Sequence, residues 1–73
     1  MASTPVLQAS AAQVLRSSPL PVLRKLAVEE TDSEVVLSGS VSSYYLKQLA
    51  QETVLPVLGG RRLLNRVQVE RDF

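Results

Sequence analysis

The chain of 73 residues contains no cysteine, no histidine and no tryptophan. Without cysteine it cannot form disulfides, and without cysteine and histidine it lacks the thiolate and imidazole ligands of most zinc sites. The same absence removes the residues that most often serve as general base or as thiol nucleophile. The composition therefore favours a binding module over an enzyme, and we predict no catalytic residue, no metal site and no cofactor.

The chain also has little net charge and no long apolar run. Eight basic and seven acidic residues give a formal net charge of +1, so no strong attraction to nucleic acid is expected. No stretch approaches the roughly 18 apolar residues of a membrane span, and no basic residue precedes Arg16 as a secretory signal would require. We predict a cytoplasmic or membrane-peripheral protein, periplasmic only if the chain is a fragment of an exported one.

Leucine and valine supply most of the apolar mass, with 12 and 11 residues. This length supports one small domain, because a second core would need roughly 50 more residues. We predict a flexible leader over residues 1–4 and a single domain over residues 5–73. With neither disulfide nor metal, such a domain is expected to be marginally stable or to gain stability by self-association.

Apolar residues recur at helical spacing in the first part of the chain. Thr4 followed by Pro5 is typical of a helix start, and the serines and prolines of residues 17–21 end the pattern. The sequence therefore predicts a first helix over residues 5–17. The apolar stripe expected to face the core comprises Val6, Leu7, Ala11, Val14 and Leu15.

From Leu23 the apolar period changes to two, which is typical of a half-buried strand. Leu26 and Val28 alternate with charged or small neighbours, a polar turn follows at residues 31–34, and the alternation then resumes. This pattern predicts a β-hairpin. We interpret Gly39, on the core-facing row of the second strand, as making room for a packed helix. That row comprises Val35, Leu37, Gly39 and Val41.

A second helix is predicted after the hairpin. Ser42 or Ser43 can cap its start, and Pro56 must end or kink it near Leu55 because the proline ring clashes with the preceding turn. Its apolar residues lie three and four positions apart, as one face of a helix requires. They comprise Leu46, Leu49, Ala50, Thr53, Val54 and Val57.

The pair Gly59-Gly60 is predicted to reverse the chain into a final strand. Leu63, Val67 and Val69 are expected on one face of that strand and Leu64, Arg66, Gln68 and Glu70 on the other. The predicted fold class is α+β in the order helix-strand-strand-helix-strand. Two helices would pack on one face of a three-stranded, mixed sheet.

A spaced set of residues extends through most of the chain, over about residues 10–70. It comprises Leu26, Val28, Val35, Leu37, Gly39, Val41, Ser43, Ala50, Val57, Gly59, Leu63, Asn65, Val67 and Val69. This set resembles the bacterial OsmY and nodulation family, known as the BON domain. The resemblance implies the same element order and no enzymatic activity. It also implies a small bacterial envelope or stress-associated protein that contacts phospholipid membranes or partner proteins.

Three positions depart from the family's pattern. Gly60 stands where BON domains usually carry an apolar residue, Thr53 stands where a larger aliphatic residue is common, and Pro56 interrupts the second helix. We expect a weaker core between the second helix and the final strand, within the same fold. Many family members are exported and carry tandem copies, whereas a single copy is predicted here.

Arg61, Arg62 and Arg66 form the one basic concentration, and Lys47 is expected nearby on the second helix. Arginine binds phosphate oxygens through paired hydrogen bonds, so these residues are candidate contacts for anionic phospholipid or for a protein partner. Three arginines fall short of the roughly four to eight basic residues of lipid-binding clusters. The alternative is a solvated strand edge whose charges discourage unwanted pairing.

Tyr44 and Tyr45 at the start of the second helix are further candidate contacts. One ring is expected to pack on the core and the other to remain partly exposed, where an amphipathic ring suits a lipid or protein interface. The alternative is that the pair only staples the helix start against Leu49 or the sheet.

Four carboxylates cluster at the predicted hairpin. A general acid-base pair needs a cleft that perturbs a pKa, whereas a hairpin tip is exposed, and the spacing lacks a calcium-loop signature. We interpret Glu29, Glu30, Asp32 and Glu34 as parts of a soluble turn.

These observations predict a non-catalytic, BON-like binding module that contacts anionic phospholipid surfaces or membrane-associated proteins. The alternative is a small protein-interaction or homo-oligomerising structural module without lipid binding. Nucleic acid is not an expected partner, because the strands carry no aromatic residues on which bases would stack.

Overall fold

The structure, a computed structural model, describes residues 10–70. The predicted leader, the helix start at Thr4 and Pro5, and the apolar residues Val6 and Leu7 lie outside this range. The elements in chain order are α1 (Ala11–Arg16), α2 (Pro21–Arg24), β1 (Ala27–Glu30), β2 (Glu34–Ser38), β3 (Ser40–Val41), α3 (Tyr44–Val54), a 3-10 helix (Leu55–Val57), β4 (Arg62–Asn65) and β5 (Gln68–Val69).

Strand β2 lies at the centre of a three-stranded mixed sheet with the order β1-β2-β4. It pairs antiparallel with β1 and parallel with β4. Beyond Gly39 the chain continues as β3, which pairs in parallel with β5. The α+β class and the order helix-strand-strand-helix-strand are confirmed, with α2 as an additional short helix.

The helices pack against one face of the sheet, and strand alternation determines which residues lie beneath them. Val35 and Leu37 are fully buried on this face, whereas Val36 between them is only half-buried on the other. The opposite face is therefore called the open face. It carries Ala27, Glu29, Glu34, Val36, Ser38, Arg62 and Leu64, none of which is buried. The core comprises Ala11, Leu15, Leu23, Val35, Leu37, Val41, Ala50, Val54 and Val67.

Helix α1 begins after Ser10, which is extended and whose Oγ accepts the Gln13 N–H at 3.0 Å, so the prediction of one helix running through Ser10 from residue 5 is wrong. Helix α1 ends at Arg16, close to the predicted stop. The sequence indicated that Pro21 only ends a helix. In the structure Pro21 is the first residue of α2, where its missing N–H costs nothing. Leu23 therefore lies in a helix, and β1 begins later than the pattern predicted, at Ala27.

The boundaries of α3 follow the predicted local signals. Ser43 is the cap, and its Oγ accepts the Leu46 N–H at 3.2 Å. The α-helix ends at Val54, and Pro56 lies in the 3-10 helix that follows. The chain then reverses through Gly59 and Gly60, with φ of 61° and 85°, in the left-handed region that glycine favours.

Gly39 separates β2 from β3 and has a φ of 124°. A Cβ atom at this position would lie 2.9 Å from Cδ2 of Leu26, which is closer than real contacts allow. The interpretation that Gly39 admits a packed helix is therefore wrong. The side chain of Leu26, just before β1, occupies that space.

The predicted final strand is divided into β4 and β5. Asn65 ends β4, and its Oδ1 accepts the Val67 N–H at 3.1 Å. The predicted faces are confirmed: Val67 is buried and Val69 half-buried, whereas Arg66 is exposed.

Candidate functional site

Arg61 lies where the 3-10 helix turns into β4, and its guanidinium group bonds within the protein. Nε donates to the Leu58 carbonyl at 2.7 Å, and Nη2 donates to the Val57 carbonyl at 2.8 Å. Nη1 donates to Oε1 of Glu30 at 3.1 Å. Arg61 therefore caps the end of the 3-10 helix and ties it to the hairpin, so these donors are engaged internally.

Glu30 joins a third element to this arrangement. Its Oε1 accepts the Ala11 N–H at 3.1 Å and its Oε2 accepts the Ala12 N–H at 3.3 Å, at the start of α1. The side chain is 21% exposed, so the interpretation of Glu30 as part of an exposed hairpin tip is wrong. The sequence contained an indication of this position. Glu30 alternates in step with Leu26 and Val28, which predicts that its side chain lies on the sheet face that the helices cover.

The hydrogen bonds of Glu30 change its acidity. Burial alone raises the pKa, but the Ala11 and Ala12 N–H groups together with Arg61 favour the carboxylate, and the net pKa lies below the ordinary 4.5. Because the pKa is lower in the folded state, the ionised group stabilises the fold above the ordinary pKa. That contribution is lost as pH falls through the lowered value.

We therefore expect Glu30→Gln to lower the free energy of unfolding at neutral pH and to narrow its difference from the wild type as the solution is acidified. Urea titrations from neutral to acidic pH measure both curves. Glu29→Gln, on the open face of the same strand, is the matched control and should lower the free energy of unfolding at neutral pH less than Glu30→Gln does. Parallel curves for wild type and Glu30→Gln would contradict this account.

The side chains of Arg62 and Arg66 have different surroundings from that of Arg61. Arg62 projects from the open face with 71% of its side chain exposed, and its Nη2 lies 3.6 Å from Oε2 of Glu34. Such an exposed ion pair contributes little to stability. Strand alternation places the exposed Arg66 on the same face, whereas Lys47 lies on α3 in the other layer. The candidate basic residues therefore have different environments.

A shallow groove of about 310 Å³ lies where α3 meets β4. Asn65 connects the two elements, since its Nδ2 donates to the Lys47 carbonyl at 3.1 Å and to Oε1 of Gln51 at 3.3 Å. The groove is lined by Tyr44, Lys47, Gln48, Gln51 and Asn65.

Tyr44 and Tyr45 are both exposed, by 68% and 69%. The prediction that one ring packs on the core is wrong. The buried stripe of α3 passes through Ala50 and Val54 with the half-buried Leu46 one turn earlier, so the tyrosines fall outside it. Tyr44 borders the groove, and Tyr45 follows it in the first turn of α3.

The other residues of the BON-like set have structural positions. Leu37, Val41, Ala50 and Val67 are in the core. Ser43 caps α3, Gly59 lies in the chain reversal, and Gly39 leaves space for the side chain of Leu26. Val69 packs at the margin of the core.

Within residues 10–70, no three His, Cys, Asp or Glu residues lie together in a way that would hold a metal ion. None of the described helices is long and apolar enough to cross a bilayer.

No family model, no curated protein and no solved structure matches this chain.

Proposed function

We propose that this chain is a non-catalytic binding module whose partner is a protein. The contact region would be the α3–β4 surface, defined as Tyr44, Tyr45, Lys47, Gln48, Gln51 and Asn65. The observation that carries the proposal is the exposure of two adjacent tyrosines beside an open groove. Tyrosine offers a large, rigid and amphipathic contact area, which makes it one of the residues that dominate protein interfaces.

A protein partner is favoured over phospholipid by the state of the basic residues. Arg61 is engaged with Glu30 and two carbonyl groups. Of the candidate basic residues, Lys47, Arg62 and Arg66 remain, and three basic residues fall short of the roughly four to eight in a lipid-binding cluster. The BON resemblance is compatible with either partner, and phospholipid stays as the second candidate because exposed tyrosines also suit headgroups.

Site-specific photo-crosslinking in the cells that produce the protein tests this proposal. A photoreactive residue at Gln48 is expected to yield a protein adduct, whereas one at the exposed Lys25, outside the α3–β4 surface, is not. Adding Tyr44→Ser and Tyr45→Ser should reduce the Gln48 adduct by about tenfold or more, since truncating such anchors costs on the order of 2 kcal/mol. Equal adduct yields at Gln48 and Lys25, or a Gln48 adduct yield that the tyrosine substitutions do not change, would count against the proposal.

Co-sedimentation with vesicles tests phospholipid as the partner. No binding is expected to anionic or neutral vesicles at physiological salt. If the protein instead bound anionic vesicles alone, and the Arg62→Ser, Arg66→Ser double variant lost that binding, phospholipid would replace protein as the partner class.

A further inference from the structure

Strand β4 forms an outer edge of the sheet. On its inner side, the N–H groups of Arg62 and Arg66 donate to the carbonyls of Ser33 and Leu37, at 2.9 and 2.8 Å. Because backbone direction alternates along a strand, the N–H and C=O groups of the odd-numbered residue Leu63 point away from β2. Within residues 10–70, no further strand pairs with this side of β4.

The available edge has defined limits. At one end, the Arg61 N–H bonds to the Leu58 carbonyl at 3.1 Å. At the other end, the Val67 N–H is taken by Oδ1 of Asn65. A partner strand can therefore pair along residues 62–66, with the outward backbone groups of Leu63 and Asn65 as its hydrogen-bonding sites.

The side chains along this edge select the chemistry of a partner strand. Arg62, Leu64 and Arg66 share the open face, so an apolar side chain lies between two cations. Opposite charges facing each other across paired strands are stabilising, and like charges are destabilising. The complementary sequence is thus acidic-x-aliphatic-x-acidic, which fits a strand added in either direction.

We propose that the β4 edge binds an extended acidic segment of the partner protein as an added strand. This inference rests on the proposed function, because the edge adjoins the α3–β4 surface through Asn65. Main-chain hydrogen bonds to Leu63 and Asn65 would supply affinity, and the two arginines would supply selectivity.

A second copy of this chain fits the edge less well. Pairing Leu64 with the same residue of another copy places Arg62 against Arg66 twice, so like charges face each other directly. Charged edge residues of this kind are a common means by which proteins avoid self-association through open strands. A different chain with acidic residues therefore complements the full edge better than a second copy does.

The probe is a capped peptide, Ser-Glu-Thr-Val-Thr-Glu-Ser, and its control carries lysine at both glutamate positions. In an amide NMR titration of the full chain, the glutamate peptide is expected to shift the Leu63 and Asn65 signals. It should bind roughly tenfold more tightly than the lysine peptide, because two attractive charge pairs replace two repulsive ones. The Arg62→Glu, Arg66→Glu double variant should reverse that preference.

Equal affinity for the two peptides, shifts confined to other amides, or no binding of either would each overturn the inference. Arg62→Gln with Arg66→Gln is a second variant that keeps the side-chain length, and it should bind both peptides equally. If neither peptide binds as expected while the Gln48 crosslink persists, the strand-addition inference is wrong and the proposed protein-binding function stands. If the Gln48 crosslink is also absent, the inference and the proposed function are both wrong.

Discussion

Replacing Leu37 with alanine is expected to reduce the free energy of unfolding by about 2 to 5 kcal/mol. Leu37 is fully buried on the central strand, between Val28 on β1 and Asn65 on β4. The truncation removes apolar contacts and leaves a cavity that the surrounding sheet fills only in part. A domain of this size has a total stability of roughly 4 to 11 kcal/mol, so the variant is expected to lose a large share of it.

Urea denaturation followed by far-ultraviolet circular dichroism measures this loss. Val36→Ala is the matched control, because Val36 is the next residue of the same strand and lies half-buried on the open face. It should cost about 1 kcal/mol or less. Equal losses for the two variants would show that the helix-covered face is not the main core.

Arg61→Leu is expected to cost about 1 to 3 kcal/mol, the range for hydrogen bonds that involve a charged group. The change removes the donors to the Val57 and Leu58 carbonyls and leaves Glu30 without its counter-charge. The cost should therefore appear in thermal or urea unfolding even though the substitution adds apolar surface.

The adjacent arginine provides the control for this prediction. Arg62→Leu should change stability by about 0.5 kcal/mol or less, because its ion pair with Glu34 is long and exposed. A double-mutant cycle of Arg61→Leu with Glu30→Gln is expected to show a coupling of about 1 kcal/mol. Indistinguishable effects at Arg61 and Arg62, or strictly additive effects of Arg61 and Glu30, would contradict the arrangement described above.

The elements that the sequence predicted correctly are those fixed by local chemistry. Ser43 caps α3, Pro56 ends it, and Gly59-Gly60 reverses the chain, because each residue type acts on its immediate neighbours. Helix α2 was missed for a related reason. Pro21 can either stop a helix or begin one, and which occurs depends on the burial of Leu23 in the shared core.

The environments of the candidate site residues depended on contacts between distant parts of the chain. The adjacent Arg61 and Arg62 look equivalent in the sequence, yet Arg61 meets a carboxylate 31 positions away and Arg62 projects into solvent. Alternation along β1 indicated the face of Glu30 but not its partners. The exposure of both tyrosines likewise depends on where the buried stripe of α3 begins, which the position of the sheet determines.

The parallel pairing of β2 with β4 also sets the order in which the domain assembles. The β1–β2 hairpin closes through a short turn, and such hairpins form within about 1 to 10 μs. The partners Leu37 and Asn65 are 28 positions apart, so their pairing must close a loop that contains all of α3. Non-local closure of this kind is slow. Ser43 and Pro56, which set the length of α3, therefore also set the length of chain that must be closed before β4 can pair with β2.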